Sequence, residues 1–426
     1  MKLLKTRFTN INFKDPDIII LFILLAGLIL RLGFVFHTGG QISQPDEGVY
    51  IDQAKHLYQY GITNFSTIPT DRPPGAALLI LLSFLLFGIN LFKAKILFAL
   101  IGTLTIYLIY KYACDIFDKK MAVFASLIAA FYPFFIYWSG HLMTETPTIF
   151  FTVSALLFTN RFISMDKQKA PLYGIFAGLS WMMLIITRAQ NFYFLPLLFG
   201  FLLFKRTYKT KLLALLLFFV ITISMPIVWM MRNYNNYGIF TIDTHGGVTL
   251  LINTAFYKES RLDWGLGTRT LENSEMFKKT KQMNKGEKEY YFREKALEYI
   301  KQNPLEFAKT RFDNFIQLWR FYPRTNIPMQ EDSPFLNKKK IHFVFISLLT
   351  EPWLIIAGLF GFLMAIKRRL NFALLPLLFI IFTTSIHTLV YSQMRYRLPI
   401  MPIIIIFAVY GISRIMRRGK TSNEKN

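Results

Sequence analysis

Only one cysteine, Cys114, occurs in 426 residues, which excludes an internal disulfide and leaves the redox compartment undecided. Acids are scarce as well, 25 against 49 Lys and Arg, for a formal charge of +24. Such an excess can mark a nucleic-acid binder. Here, however, the basic residues are not gathered into a patch with interleaved aromatics, so no nucleic-acid partner is expected. The chain has no Walker-type Gly-rich loop, no Gly-x-Ser-x-Gly and no His-Glu-x-x-His. It shows no repeat of fixed period and no low-complexity tract. His37, His56, His141 and His245 include no two at metal-ligand spacing, which argues against a dedicated zinc site.

What the chain has in abundance is apolar surface. Hydrophobic residues make up 53% and aromatics 17%, spread along the whole length, and no soluble fold requires that. About ten runs approach the roughly 20 residues needed to cross a bilayer as helices, which predicts an all-α, multi-pass membrane protein. The basic residues gather at the ends of these runs, where they hold short loops in the cytoplasm.

That rule orders the chain. A first span at about 17–36 follows Lys2, Lys5, Arg7 and Lys14 without an Ala-x-Ala-like cleavage site, so it reads as an uncleaved anchor. The run at 75–88 is only about 14 residues and suits an interfacial or re-entrant helix. With it left on the outer surface, spans at about 91–113, 121–138, 147–162, 171–186, 192–204, 212–231, 343–366, 372–390 and 398–415 bring nearly every short basic loop inside. Both termini are then cytoplasmic. The expected organisation is an N-terminal catalytic membrane module (1–231, first outer loop 37–90), an extracytoplasmic segment (232–342) and C-terminal spans with a tail (343–426). In the middle segment, apolar residues recur at three- and four-residue spacing in "GEKEYYFREKALEYIKQNPLEFAKTRFDNFIQLWRF". This pattern predicts helices resting on the membrane or the spans.

The sidedness isolates outer-face residues that topology does not explain: Asp46, Glu47, Asp52, His56, Asp71, Arg72, His141, Glu145, Arg188, Arg232, Asn233, His245, Arg395 and Arg397. Asp46 and Glu47 in "QPDEGVY", and Glu145 in "HLMTETPTIF", stand where helices start, and dipole compensation or capping explains one acid better than two. The arginines are basic residues on the side the counting rule disfavours. An anion at the outer leaflet would account for them, since a guanidinium fork matches phosphate oxygens.

Five segments in order, "PDEGVY", "DRPPGAALLILLSFLLFG", "LMTETPT", "RNYNNYGIFTIDTHGGVTLLI" and "RYRLPIMPIIIIFAVYG", resemble the C-type superfamily of membrane glycosyltransferases. That group includes the lipid A aminoarabinose transferase and the dolichyl-phosphate-mannose protein mannosyltransferases. The resemblance implies transfer of a sugar, generally with inversion, from a polyprenyl-phosphate donor (dolichyl or undecaprenyl) to a glycan, lipid or protein acceptor on the outer face of a cell (inner) membrane. It implies Asp46 as general base, Glu47 and Glu145 as orienting acids, and Arg72, Arg188, Arg232 and Arg395, with Tyr50 and His245, as donor-phosphate or substrate contacts. No cofactor is required by this scheme, although three carboxylates are compatible with a divalent metal. The outer segment is short and the Trp-Trp-Asp motif of oligosaccharyltransferases is missing, which favours a single sugar, hexose or pentose; the trefoil domain of protein mannosyltransferases is missing too, so protein is not the favoured acceptor by default. A sugar-lipid flippase or transporter, a polysaccharide ligase and a non-catalytic scaffold stand as alternatives.

Overall fold

The computed structural model describes residues 16–68, 72–205, 211–262, 264–322, 340–368 and 370–423. Asp71, and the basic residues Lys2, Lys5, Arg7, Lys14, Arg206, Lys209 and Arg369 used in the charge reading, lie outside them. All regular structure among the described residues is helical, as composition predicts. The first half comprises α1 (Pro16–Thr38), α2 (Glu47–Tyr60), α3 (Gly75–Phe87), α4 (Leu91–Ile116), α5 (Lys119–Phe131), α6 (Pro133–Ser139), α7 (Glu145–Ser164), α8 (Ala170–Thr187), α9 (Leu195–Phe204) and α10 (Leu212–Tyr237). The segment that follows holds α11 (Gly246–Ile252), α12 (Tyr257–Leu262), α13 (Trp264–Glu272), α14 (Glu275–Lys279), α15 (Lys285–Gln302) and α16 (Pro304–Trp319). The chain ends in α17 (Lys340–Lys367), α18 (Leu374–Leu389) and α19 (Met401–Asn423).

Seven of these elements are long and apolar enough to cross a bilayer: α1, α4, α8, α10, α17, and α18 and α19 with the 3-10 turns that precede them. The pair α5 and α6, bent by 56°, makes an eighth if counted as one span. The other two predicted spans fall on α7, 20 residues long but less apolar, and on the shorter stretch Ala189–Phe204. The doubtful run at 75–88 forms α3. Its 13 residues rise about 20 Å, short of the roughly 30 Å hydrocarbon core. Gly88, at φ +73°, ends it in a conformation that glycine tolerates.

The helices pack into one large apolar core running from Ile20 to Tyr410. A smaller core of Leu251, Ile252, Leu271, Phe292 and Ala296 lies inside the middle segment, with Phe292 and Ala296 one turn apart on the α15 face that meets α11. This segment rests on the spans: Arg311 of α16 donates to the Val390 carbonyl at 3.2 Å beyond the end of α18, and Asn314 donates to Thr388 O at 3.2 Å.

The bend between α5 and α6 has a local cause. Pro133 has no amide hydrogen and opens α6, so carbonyls in the last turn of α5 lose their helical donors. Arg31 of α1, fully buried, supplies replacements, donating to Ala130 O at 3.2 Å and Ala129 O at 3.4 Å. A charged side chain inside a membrane helix is thereby used to satisfy a broken neighbour.

Candidate active site

The chain leaves α1 and turns into α2 at "QPDEGVY". Asp46 occupies the N-cap position of α2, yet its side chain makes no cap hydrogen bond. Instead, Arg72 Nη2 donates to one carboxylate oxygen at 3.0 Å and Arg395 Nη2 reaches the other at 3.5 Å. Burial alone would push the Asp46 carboxyl up, but the two guanidinium groups outweigh it and hold it below the usual carboxylate value. Arg72 is placed by its backbone as well as its charge. Its carbonyl accepts from Gln53 at 2.7 Å, and its guanidinium lies 5.8 Å over the Tyr50 ring. The neighbouring acid and phenol raise the basicity of Arg72 above its ordinary value in spite of burial.

Glu145 opens α7 and is buried. Its Oε1 lies 3.6 Å from both Arg188 Nη2 and Arg395 Nε. Arg395 therefore bridges two acids that stand 99 residues apart in sequence. At 3.6 Å these contacts are ion pairs but not hydrogen bonds. Glu145 Oε2 and Arg188 Nη1 are buried and have no hydrogen-bond partner among the described residues. Orphaned polar atoms on two ion-paired side chains are where further partners would complete a network. Aromatic rings line the arginines. Arg188 lies 4.7 Å over Tyr396, and Arg395 lies 5.4 Å over Tyr396 and 5.7 Å over Trp138.

Glu47 differs from both. It is fully buried, and neither carboxylate oxygen has a well-formed hydrogen bond among the described residues. Burial pushes its carboxyl up to about 7, against the opposing pull of the Lys95 ammonium and of the nearby Ser43 and Gln44 amides. Lys95 is itself buried and donates to Gln41 O at 2.6 Å, which ties the first loop to α4. His141, in the loop before Glu145, is buried among Phe34, Tyr137 and Trp138. Burial draws it down to about 4, so it stands neutral at neutral pH.

The structure thus brings together Asp46, Glu145, Arg72, Arg188 and Arg395, with Glu47 and Tyr50 adjoining. Arg232 is engaged elsewhere: it donates to Asn233 Oδ1 at 2.8 Å and to the Ile68 carbonyl, and it lies 4.7 Å over Trp229. It pins the first loop to the end of α10. His245 is exposed at the start of α11, where its amide donates to Asp243 at 2.9 Å and not to any of the three acids. Arg397, grouped with Arg395 in the sequence, turns the other way into a buried ion pair with Glu351. Sequence reasoning passed over Tyr396 and Trp138. The one available signal was position, since Tyr396 stands between the arginines of "RYR".

The carboxylates are poorly disposed to hold a divalent ion, because guanidinium groups already face Asp46 and Glu145. No group of three or more His, Cys, Asp or Glu side chains among the described residues could hold one.

Residues 71–229, just over a third of the chain, match the sequence family described as dolichyl-phosphate-mannose-protein mannosyltransferase. No curated protein matches the chain. Among solved structures, the apo oligosaccharyltransferase of Archaeoglobus fulgidus is similar at 16% identity and a TM-score of 0.57, over 96% of this chain and 51% of that one. The same organism's AglB in complex with an inhibitory peptide and a dolichol-phosphate gives 17%, 0.55, 96% and 51%. ArnT from Cupriavidus metallidurans in the apo state aligns at 15% identity and a TM-score of 0.47, over 94% of this chain and 61% of that one. The chain spans about half the length of the oligosaccharyltransferase structures it matches. The chain shares the fold of the oligosaccharyltransferase structures, and its residues 71–229 are similar to the dolichyl-phosphate-mannose-protein mannosyltransferase family.

Proposed function

We propose that the chain is a glycosyltransferase that moves a single sugar from polyprenyl phosphate to an acceptor at the extracytoplasmic face of a cell membrane, with inversion at the anomeric carbon. The observation that carries this reading is Arg395 held between Asp46 and Glu145, with Arg72 and Arg188 on either side. This pairing of acids and guanidinium groups suits a reaction in which a hydroxyl or amine loses a proton while a phosphate leaves. The family match over residues 71–229 and the oligosaccharyltransferase-like fold support the donor class.

Asp46 is the base in this scheme. Of the three acids it alone is accessible, its side chain 32% exposed against 1% for Glu145 and 0% for Glu47. Geometry ranks ahead of acidity in choosing a base. The acceptor oxygen or nitrogen attacks the anomeric carbon as the bond from that carbon to the phosphate oxygen breaks; Asp46 takes the acceptor proton, and the electron pair leaves with the phosphate. A low carboxyl pKa is a handicap for a base, but the donor relieves it. An incoming phosphate competes for Arg72 and Arg395, the two groups that hold Asp46 down, so donor binding makes Asp46 more basic. Glu145, through its unpartnered oxygen, orients the sugar, and Arg188 with Arg395 holds the phosphate against Tyr396. Glu47 shapes the pocket wall, and no step is assigned to a metal. One accessible carboxylate favours a single displacement, hence inversion. The short middle segment favours a single sugar, with the product a cell-envelope glycan, lipid or glycoprotein.

The test has two parts. A deletion strain should accumulate a polyprenyl-phosphate sugar detectable by mass spectrometry of lipid extracts, which names the donor. Asp46→Asn, expressed at wild-type level in that strain, should leave the accumulation in place; clearance of the lipid by this variant overturns the assignment.

A further inference from the structure

Glu351 is an acid in the middle of the apolar helix α17, with no exposed surface. One of its oxygens pairs with Arg397, which is 1% exposed, and the other accepts from the Tyr132 hydroxyl. Arg397 also donates to Leu318 O at 2.7 Å and Arg320 O at 2.5 Å. A buried ion pair is a costly way to stabilise a fold, because both charges are removed from water, and an apolar pair of similar volume often does as well. Its presence calls for a reason in what it connects.

The connections converge on the site. Arg397 lies two residues beyond Arg395 within one 3-10 turn, Met394–Ile400. Tyr132 lies at the break between α5 and α6, and α6 carries Trp138, the ring against which Arg395 rests at 5.7 Å. Fixing Arg397 fixes the turn, and fixing Tyr132 fixes α6. We infer that Glu351 is a positioning residue: from inside the membrane it sets the turn and the helix between which Arg395 is held, and so places the guanidinium between Asp46 and Glu145. It touches no substrate. The inference rests on Arg395 being a phosphate contact only where affinity is the measurement.

The test is a cycle of Glu351→Gln, Arg395→Gln and the double variant in purified full-length protein, each checked for thermal melting and monodispersity. The probe is undecaprenyl phosphate, whose affinity is read directly. Glu351→Gln should weaken binding about tenfold in the wild-type background and add nothing in the Arg395→Gln background. Additive losses would mean that Glu351 serves the fold generally, and wild-type affinity in Glu351→Gln would also overturn the inference. A second readout does not depend on the ligand: the Trp138 emission, isolated as the difference from Trp138→Phe, should shift alike in Glu351→Gln and Arg395→Gln. If Arg395→Gln binds like wild type, the phosphate role of Arg395 fails, while the Trp138 signal still decides the positioning role; an unmoved signal in Glu351→Gln rejects it.

Discussion

Asp46 stands at the cap position of α2 but gives its carboxylate to Arg72, 26 residues away, at 3.0 Å. A cap of this kind contributes about 1 kcal/mol when it is used. Leaving it unused keeps the acid aimed at the cluster. Arg72→Gln should therefore raise the Asp46 carboxyl toward its ordinary value, since Arg72 is the stronger of the two groups holding it down. The acid limb of the kcat/KM profile should move to higher pH, with a loss of about 100-fold at neutral pH from the missing guanidinium. An unshifted acid limb rejects Asp46 as the titrating base.

Glu47 makes stability depend on pH. Its carboxyl stands at about 7 in the folded protein against the usual 4.5. Below the lower value both states are protonated and no cost arises. Between the two values the unfolded state has lost the proton and the folded state keeps it, so stability falls as pH rises. Above about 7 the cost is constant, on the order of 3 kcal/mol for a gap of this size. The melting temperature of the detergent-solubilised protein should drop between pH 5 and 8, and Glu47→Gln should flatten the drop. Equal slopes for both proteins would show that Glu47 is not its source.

Gly75 is required by contact. A Cβ there would lie 2.5 Å from the Thr187 amide nitrogen and 2.6 Å from its Cα, in backbone that cannot yield cheaply. Gly75→Ala should push α3 away from the end of α8, cost about 1–3 kcal/mol, and disturb Arg72 and Arg188, which adjoin the two helix ends. The expected result is a lower melting temperature together with weaker undecaprenyl phosphate binding. Unchanged values in both would mean the contact is slack.

The all-helical membrane fold was legible in the sequence because bilayer thickness dictates run length, and Asp46, Glu145, Arg72, Arg188 and Arg395 were legible because they lacked a topological reason to exist. The limits were equally physical. Arg232 and Arg395 look alike as arginines at span ends, and only tertiary contact shows one pinning a loop and the other joining two acids. Glu351 was hidden because a single acid in an apolar run gives no hint of a partner 46 residues later. Arg31 was hidden because its partners are backbone carbonyls, which leave no trace in side-chain patterns.

Tyr396 lies under two guanidinium groups at 4.7 and 5.4 Å. Each such contact is worth about 0.5–2 kcal/mol in a desolvated setting. Tyr396→Leu, which keeps apolar bulk and removes the ring, should raise the dissociation constant for undecaprenyl phosphate about tenfold and leave the melting temperature near wild type. Tyr396→Phe should behave like wild type, since the ring and not the hydroxyl is the contact. A loss with Phe equal to that with Leu would assign the effect to the hydroxyl.

The bridging of Asp46 and Glu145 by one arginine also sets an electrostatic remainder. Three guanidinium groups face two paired carboxylates, while Glu47, at about 7, is largely protonated in mildly acidic surroundings. Apart from Lys95, whose ammonium donates to Gln41 O, one positive charge is left over. A lipid-linked sugar phosphate is a diester with a single negative charge and would bring the cluster to neutrality. The spent carrier is a monoester with a second ionisable oxygen and would overshoot it. The charge match with the proposed donor therefore belongs to mildly acidic conditions, where Glu47 keeps its proton; above about pH 7 the ionised Glu47 takes up the remainder itself.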